Sequence, residues 1–290
     1  MRVCLRCDHP SVDANWCCSE CGFAPVRMDG ILAFAPELAL ENDGMDSAAH
    51  DHLDILQDGS FWFRARNRLI GDLLQRHFPA ARRVLELGCG TGYVTRAIEQ
   101  ALPEARINAT EIYVNGLAHA AQRTSGRVEL IQMDARKIPY RDEFDLVCAF
   151  DVLEHIEEDE LVLERIALAL VPGGGVMFSV PQHSWLWSQV DTFSHHKRRY
   201  GRAELAAKCR AAGLEIVRDT SFVTSLLPLM YLQRMTSRKD VALEPGKELA
   251  LPRYLDRTLE WALDMERRVI GAGVSLPIGG SRFVVARLAR

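Results

Sequence analysis

No stretch of this sequence stays apolar for the roughly 18 residues that a bilayer-spanning helix needs. The most tempting run, "SLLPLMYL" from Ser225, is short and broken by Pro228. The opening "MRVCLRCDHP" has no apolar core of the secretory kind, which gives a cytoplasmic expectation. Neither sign of charge dominates: 35 Lys and Arg stand against 39 Asp and Glu, for a net charge of -4. That balance provides no general pull toward nucleic acid or an anionic membrane. Internal repeats and low-complexity tracts are missing, so no repeat architecture is indicated. What remains is an ordinary globular composition, 48% hydrophobic and 26% charged, long enough for one large domain and a small attachment.

Cysteine is plentiful but unevenly placed. Cys89, Cys148 and Cys209 are isolated in apolar or Gly-rich surroundings and read as small buried hydrophobes. The other five crowd into "CLRCDHPSVDANWCCSEC". Cys4-x-x-Cys7 and Cys18-x-x-Cys21 are separated by ten residues. In a cytosolic chain such pairs indicate metal rather than disulfides. Four thiolates at about 2.3 Å complete a closed tetrahedral zinc shell with no open position for water. The expected role is therefore structural: Zn2+ on Cys4, Cys7, Cys18 and Cys21 folds a ribbon over residues 1–30 that is too short to fold alone. Cys17 can replace Cys18 in register, although Cys17-x3-Cys21 is the poorer spacing. The segment has Arg2, Arg6 and Arg27 against Asp8, Asp13, Glu20 and Asp29, which is no basic face for RNA.

Beyond the ribbon, residues 31–55 read as a linker and residues 56–290 as the main domain. "FWFRARNRLIGDLLQRHF" has apolar residues at helical spacing and ends at Pro79. Strands are expected at 83–88, 106–111, 128–132, 144–149 and 175–180, with "LEIVRDTSFV" and "SRFVVARLA" as two more. Helices are expected at 92–102, 114–124, 159–171 and 202–213. Such alternation implies an α/β fold with a parallel sheet covered on both faces. Residues 225–272 read as a mostly helical insertion.

The run "VLELGCGTGYV" ends a predicted strand in Gly88, Gly90 and Gly92 and opens a helix. Glycines there let the backbone turn sharply and present helix amides to a ligand. The dinucleotide fingerprint needs a third glycine at position 93, and Tyr93 stands there, which argues against NAD. Glu111 ends the next strand, where a carboxylate can accept from both hydroxyls of a ribose. Asp134 and Ala135 follow the third strand of the series, and Phe150 and Asp151 close the fourth. All lie at carboxyl ends of strands, where open α/β sheets bind ligands.

In combination and order, Gly88–Gly92, Glu111, Asp134 and "DVLEHI" resemble the successive motifs of the class I S-adenosylmethionine-dependent methyltransferases. The resemblance covers roughly residues 60–222 and the last strand. It implies a Rossmann-like sheet of seven strands, the last one antiparallel, with the small zinc-binding module before it and the helical insertion within it. It also implies that Glu86, Gly88, Cys89, Gly90 and Gly92 surround the amino-acid end of the cofactor, that Glu111 and Ile112 hold the ribose, that Asp134 and Ala135 hold the adenine, and that Phe150 lies beside the sulfonium. "VDTFSHHKRRY" is similar to a bacterial subgroup of that family with an Asp and then His-x-Arg-Arg-Tyr after the fifth strand.

Methyl transfer from a sulfonium is an in-line displacement, and a hydroxyl acceptor must also lose a proton. Asp191, His195 and His196 are the candidate catalytic groups, with His183 a further candidate base. Arg198 and Arg199 are candidates to clamp an anionic substrate group, with Tyr200 and Trp187 beside it. The competing reading of "HHKRRY" is a solvated start to the next helix with Tyr200 packed. Trp185 and Trp187 alternate, so one can line a pocket while the other packs in the core. Arg66 can reach the cofactor from an N-terminal lid, but Arg64 and Arg66 read better as exposed residues of an amphipathic helix. Asp151, Glu154 and His155 read as caps of the strand end. Leu226, Leu227, Leu229, Met230, Tyr231 and Leu232 read as helix core or an oligomer contact before an apolar acceptor site. The leading expectation is O-methylation of a small or lipid-like acceptor. An rRNA base methyltransferase is disfavoured because "FDVLEH" lacks an Asn/Asp-Pro-Pro-aromatic pattern; a non-catalytic regulatory protein that binds the cofactor is the other alternative.

Overall fold

A computed structural model describes residues 1–10, 12–39, 57, 59–236 and 251–289. Most of the linker expected at 31–55, and the middle of the 225–272 insertion, lie outside these residues. The strands are β1 Val26–Met28, β2 Ile31–Ala33, β3 Arg83–Leu87, β4 Arg106–Glu111, β5 Val128–Gln132, β6 Phe144–Phe150, β7 Leu170–Pro181, β8 Leu214–Phe222 and β9 Ser281–Leu288. They form one sheet in the order β1-β2-β5-β4-β3-β6-β7-β9-β8. From β5 to β7 all pairings are parallel, while β9 runs antiparallel between β7 and β8.

Seven of these strands are the sheet expected from sequence. The other two belong to the N-terminal module, which extends the sheet instead of hanging from a linker. Ile31–Ala33, expected in that linker, pairs parallel to β5, and β1 pairs antiparallel to it. The first residues fasten the module further: the Val3 amide donates to the Pro139 carbonyl at 3.0 Å. Trp16 packs edge-on against Phe34 and Tyr140, with Arg2 over its ring at 4.4 Å. The module thus shares a hydrophobic core with the main domain, including Leu32, Phe34 and Ile131.

Helix α1, Phe61–His77, starts at Ser60, whose side chain accepts from the Trp62 amide. Its apolar residues recur at helical spacing, and Phe61, Ala65, Leu69, Ile70 and Leu73 are buried. It is joined by α2 Tyr93–Ala101, α3 Val114–Arg123, α4 Asp159–Ala169, α5 Gln189–Phe193, α6 Arg202–Ala211, α7 Leu227–Thr236 and α8 Arg253–Gly271. An ionic ladder locks α1 to α8: Arg64 binds Asp256 and Glu260, and Arg68 binds Glu260 and Asp264. Arg64 is therefore a paired interhelical residue, not the solvated one expected. This ladder fixes α8, the last part of the insertion, beside the crevice where β3 and β6 part the strand order. Ligands of open α/β sheets bind at that crossing point.

Candidate functional site

A large cavity of about 1860 Å³ opens at the carboxyl ends of β3, β4 and β6. Drug-sized ligands need about 300–1000 Å³, so this space has room for two molecules side by side. One end is the glycine turn. Gly88, Gly90 and Gly92 have φ values of +68°, +52° and +79°, a region only glycine enters freely. At Gly88 a Cβ would stand 2.5 Å from a Val152 methyl, and at Gly92 2.9 Å from the Ala120 Cα. The turn is therefore a tight backbone cradle that feeds the start of α2.

Glu111 braces that cradle. One carboxylate oxygen accepts from the Gly90 amide at 2.9 Å, and the other from the Ile112 and Tyr113 amides at 2.8 and 3.3 Å. Behind the turn, Glu86 lines the cavity and is 1% exposed, with Oε2 free of any partner. Burial raises its carboxyl to about 7, with Glu111 and Glu99 adding and the Arg66 charge opposing. Asp134 and Ala135 line the same end. The Asp134 carboxylate is already chelated by Arg136, with Nε 3.0 Å from both oxygens. Phe150, at the exit of β6, joins this end to the rest of the cavity.

The other end is polar on one side and apolar on the other. Asp191 is fully buried and makes five bonds: His196 Nδ1 at 2.9 Å, Arg199 Nε and Nη2 at 2.6 and 2.9 Å, and the Ser188 amide and hydroxyl. Burial pushes its carboxyl up, but the bonds from His196 and Arg199 outweigh that and hold it well below the usual range. Its grip on Nδ1 leaves Nε2 as the His196 nitrogen open to a ligand. His155 packs edge-on against His196 with centroids 4.8 Å apart. Burial lowers the His155 imidazole to about 4, and His196 adds to the fall, so it is neutral. Glu154 is fully buried with neither carboxylate oxygen bonded, and burial raises it well above the carboxylate range. The apolar side is formed by Leu226, Leu229 and Met230 of the α7 region and by Leu251, Leu255 and Leu259 before and within α8.

Backbone strain concentrates here. Asp151, His195 and Val223 line the cavity with φ of +56°, +55° and +64°. A branched residue such as Val223 in that region is costly and persists only where its surroundings impose it.

At the other end of the chain, the Sγ atoms of Cys4, Cys7, Cys18 and Cys21 lie within 4.8 Å of one another. Cys4 and Cys21 are 3.5 Å apart, and Cys7 and Cys18 are 3.6 Å apart. The Arg6 amide points at the Cys4 sulfur at 3.4 Å, as expected of a thiolate knuckle. Donor type and spacing fit a tetrahedral zinc ion. Cys17 is exposed and outside the cluster, so Cys18 is the fourth member.

Known proteins resemble the segment that carries the glycine turn. The family described as "Methyltransferase domain" matches residues 84–174, from β3 into β7. Over those residues the chain carries a methyltransferase domain. It is 26% identical over 137 residues to a malonyl-[acyl-carrier protein] O-methyltransferase of Priestia megaterium, covering 47% of this chain and 50% of that one. It is 32% identical over 160 residues to a trans-aconitate 2-methyltransferase of Methylobacterium nodulans, covering 54% and 59%. It is 31% identical over 157 residues to a ubiquinone biosynthesis O-methyltransferase of Azotobacter vinelandii, covering 47% and 66%. The chain thus spans about half the length of the first of these curated relatives and somewhat more of the others. Among solved structures, a chain from the complex of the Haloferax volcanii Trm112 methyltransferase activator with a methyltransferase superposes with a TM-score of 0.55 at 18% identity, over 84% of this chain and 94% of that one. A Haemonchus contortus phosphoethanolamine N-methyltransferase 2 superposes with a TM-score of 0.53 at 18% identity, over 77% and 53%. At these identities the superpositions establish the fold.

Several residue expectations change on the geometry. Tyr200, expected at the substrate, is fully buried and donates its hydroxyl to Asp159 at 2.7 Å. Arg198 turns the same way, toward Asp159 and Glu157, and does not line the cavity. Asp191 does not line it either, so it positions His196 and Arg199 instead of meeting a ligand. Arg199 does line the cavity but spends its guanidinium on Asp191. His195, His196 and Trp187 line it. Trp185 and Trp187 are both exposed, at 51% and 40%, so neither is the core residue expected of one of them.

Sequence reasoning underrates two groups. Arg66 is 6% exposed, pairs with Asp151 at 2.6 Å and lies over the Phe150 ring at 5.9 Å. A charged residue on the buried face of α1 has no sequence signal that separates it from its exposed neighbours. Glu154 and His155, expected as caps, face the cavity. For Leu251, Leu255 and Leu259 a signal exists: their four-residue spacing marks one helix face.

Proposed function

We propose that this protein transfers a methyl group from S-adenosylmethionine to a hydroxyl on a small, partly apolar or lipid-like acceptor. The observation that carries the reading is the two-ended cavity, in which Phe150 joins the glycine cradle to a second space with an apolar wall and a polar cluster. The resemblance to two relatives named O-methyltransferases supports oxygen as the acceptor atom.

The residues at the first end fit the cofactor. The turn of Gly88, Cys89, Gly90 and Gly92 and the Glu86 carboxylate suit its amino-acid end. Glu111 and Ile112 suit the ribose, and Asp134 with Ala135 borders the adenine. When bound, the cofactor supplies an electrophilic methyl on a sulfonium, and its binding energy holds that carbon in line with the acceptor. At the second end His196, held in one tautomer by Asp191, activates the acceptor hydroxyl, with His195 at the mouth. The wall of Leu226, Met230 and Leu255 takes the acceptor's apolar body. Four cysteines suited to reduced, zinc-bound thiolates favour a cytoplasmic setting, and the zinc module carries no part of the transfer. Among the described residues no helix is long and apolar enough to cross a membrane.

The test is methyl-labelled cofactor incubated separately with a metabolite extract, a lipid extract and rRNA. Label in an alkoxy group of a metabolite or lipid is the expected result. Label in rRNA contradicts the reading, and cofactor binding with no transfer in any fraction favours the regulatory alternative.

A further inference from the structure

We infer that Glu154, His155 and His196 form a divalent-cation site at the acceptor end of the cavity. This deepens the methyltransferase reading and rests on it. The three side chains come from two segments that meet only in the fold: the 3-10 turn Leu153–His155 after β6, and the loop after α5. Their ligand atoms lie within 4.8 Å of one another and all three residues line the cavity. Ligands at about 2.1 Å from one ion are about 3.4 Å apart at tetrahedral angles. Small side-chain rotations are enough to close the set.

Glu154 is the observation that points to a ligand. Both of its oxygens are buried and without a partner, a state rarely left uncompensated in a folded protein. The cations nearby are committed elsewhere, Arg66 to Asp151 and Arg199 to Asp191. A bound cation would neutralise Glu154 in place. His196 is already prepared as a ligand, because a carboxylate on Nδ1 orients the ring and makes Nε2 more basic, the arrangement found behind metal-bound histidines. Two imidazoles and one carboxylate suit Mn2+, Fe2+ or Zn2+, and three protein ligands leave positions open.

All three residues line the cavity, so an ion held there would meet the acceptor, and the acceptor class is a hydroxyl with a second oxygen on the neighbouring carbon, able to chelate. The hydroxyl is then activated by the cation that His196 helps to hold, in place of the free His196 imidazole. On the ion the hydroxyl loses its proton to solvent, the oxygen forms the O–CH3 bond, and the S–CH3 electron pair stays on sulfur.

The test uses full chain adjusted to one zinc per chain, so that the thiolate site is filled and the histidine site is not, and titrates Mn2+ by electron paramagnetic resonance. Thiolates compete poorly for this hard ion. The expected result is one Mn2+ per chain, bound at least tenfold more weakly in Glu154→Gln and in His155→Gln. Asp191→Asn weakens it about 10–100-fold. Cofactor affinity, measured separately by calorimetry, stays unchanged in both ligand variants. Equal Mn2+ binding in wild type and both variants, or none in wild type, overturns the site. If wild type binds the cofactor but not Mn2+, the metal inference alone falls; if it binds no cofactor, the methyltransferase reading falls first.

Discussion

Glu86→Gln separates the cost of a buried carboxylate from the rest of the fold. In the native protein, burial lifts Glu86 from 4.5 to about 7. That rise corresponds to about 3 kcal/mol against the ionised form in the folded state. The unfolded chain ionises near the ordinary value, so its advantage grows as pH climbs from there and levels off above about 7. Between about pH 5.5 and about pH 8.5 the native protein therefore loses about 2 kcal/mol through this one group. The glutamine variant has no such loss. Its amide has its own burial cost, but that cost is independent of pH and cancels when the two conditions are compared. Urea denaturation of both proteins at both pH values, with equal zinc, reads the difference directly. At the higher pH the variant gains that same amount on the native protein. A stability gap between the two proteins that is the same at both pH values would refute the assignment of a buried, neutralisable Glu86. The same linkage acts on function. A cationic ammonium beside Glu86 favours the carboxylate, so cofactor affinity rises with pH through about 7, and calorimetry in buffers of different ionisation heat detects proton release.

Cys4→Ser is expected to lose zinc, measured by elemental analysis, and to melt at lower temperature while cofactor affinity stays normal; lost turnover in a folded Cys4→Ser protein would contradict a structural metal. Tyr200→Phe removes the hydroxyl that donates to Asp159. A bond to a charged group contributes about 1.5–3 kcal/mol, so stability falls by about that amount in urea denaturation, while KM for the acceptor stays unchanged.

Much of the fold was legible because its signals are periodic and local. The strands at Val128–Gln132 and Arg106–Glu111 have the bounds that the β-branched runs suggest. The cysteine spacing likewise named the four thiols that meet in space. What the sequence hid depends on long-range contacts. Ile31–Ala33 is too short to announce itself and becomes a strand only because β5 offers an edge. Arg64 and Arg66 sit close together on one helix, yet one meets Asp256 and the other Asp151. Those partners lie far along the chain, and no local pattern encodes them. Glu154 looks like a turn residue because its burial comes from the loop that carries His196 and Lys197, whose amide donates to the Glu154 carbonyl at 2.7 Å. The charged run after Asp191 is ambiguous for the same reason: Arg198 and Tyr200 turn to Asp159 of α4, while His196 and Arg199 turn back to Asp191.

Every functional step depends on whether the glycine cradle and Glu111 hold S-adenosylmethionine. Calorimetric titration of that compound into zinc-loaded protein measures this, with Glu111→Ala as its control. Saturable heat at one molecule per chain, lost in a control that keeps its zinc and its fold, is the predicted result. A flat titration with well-folded native protein would contradict it.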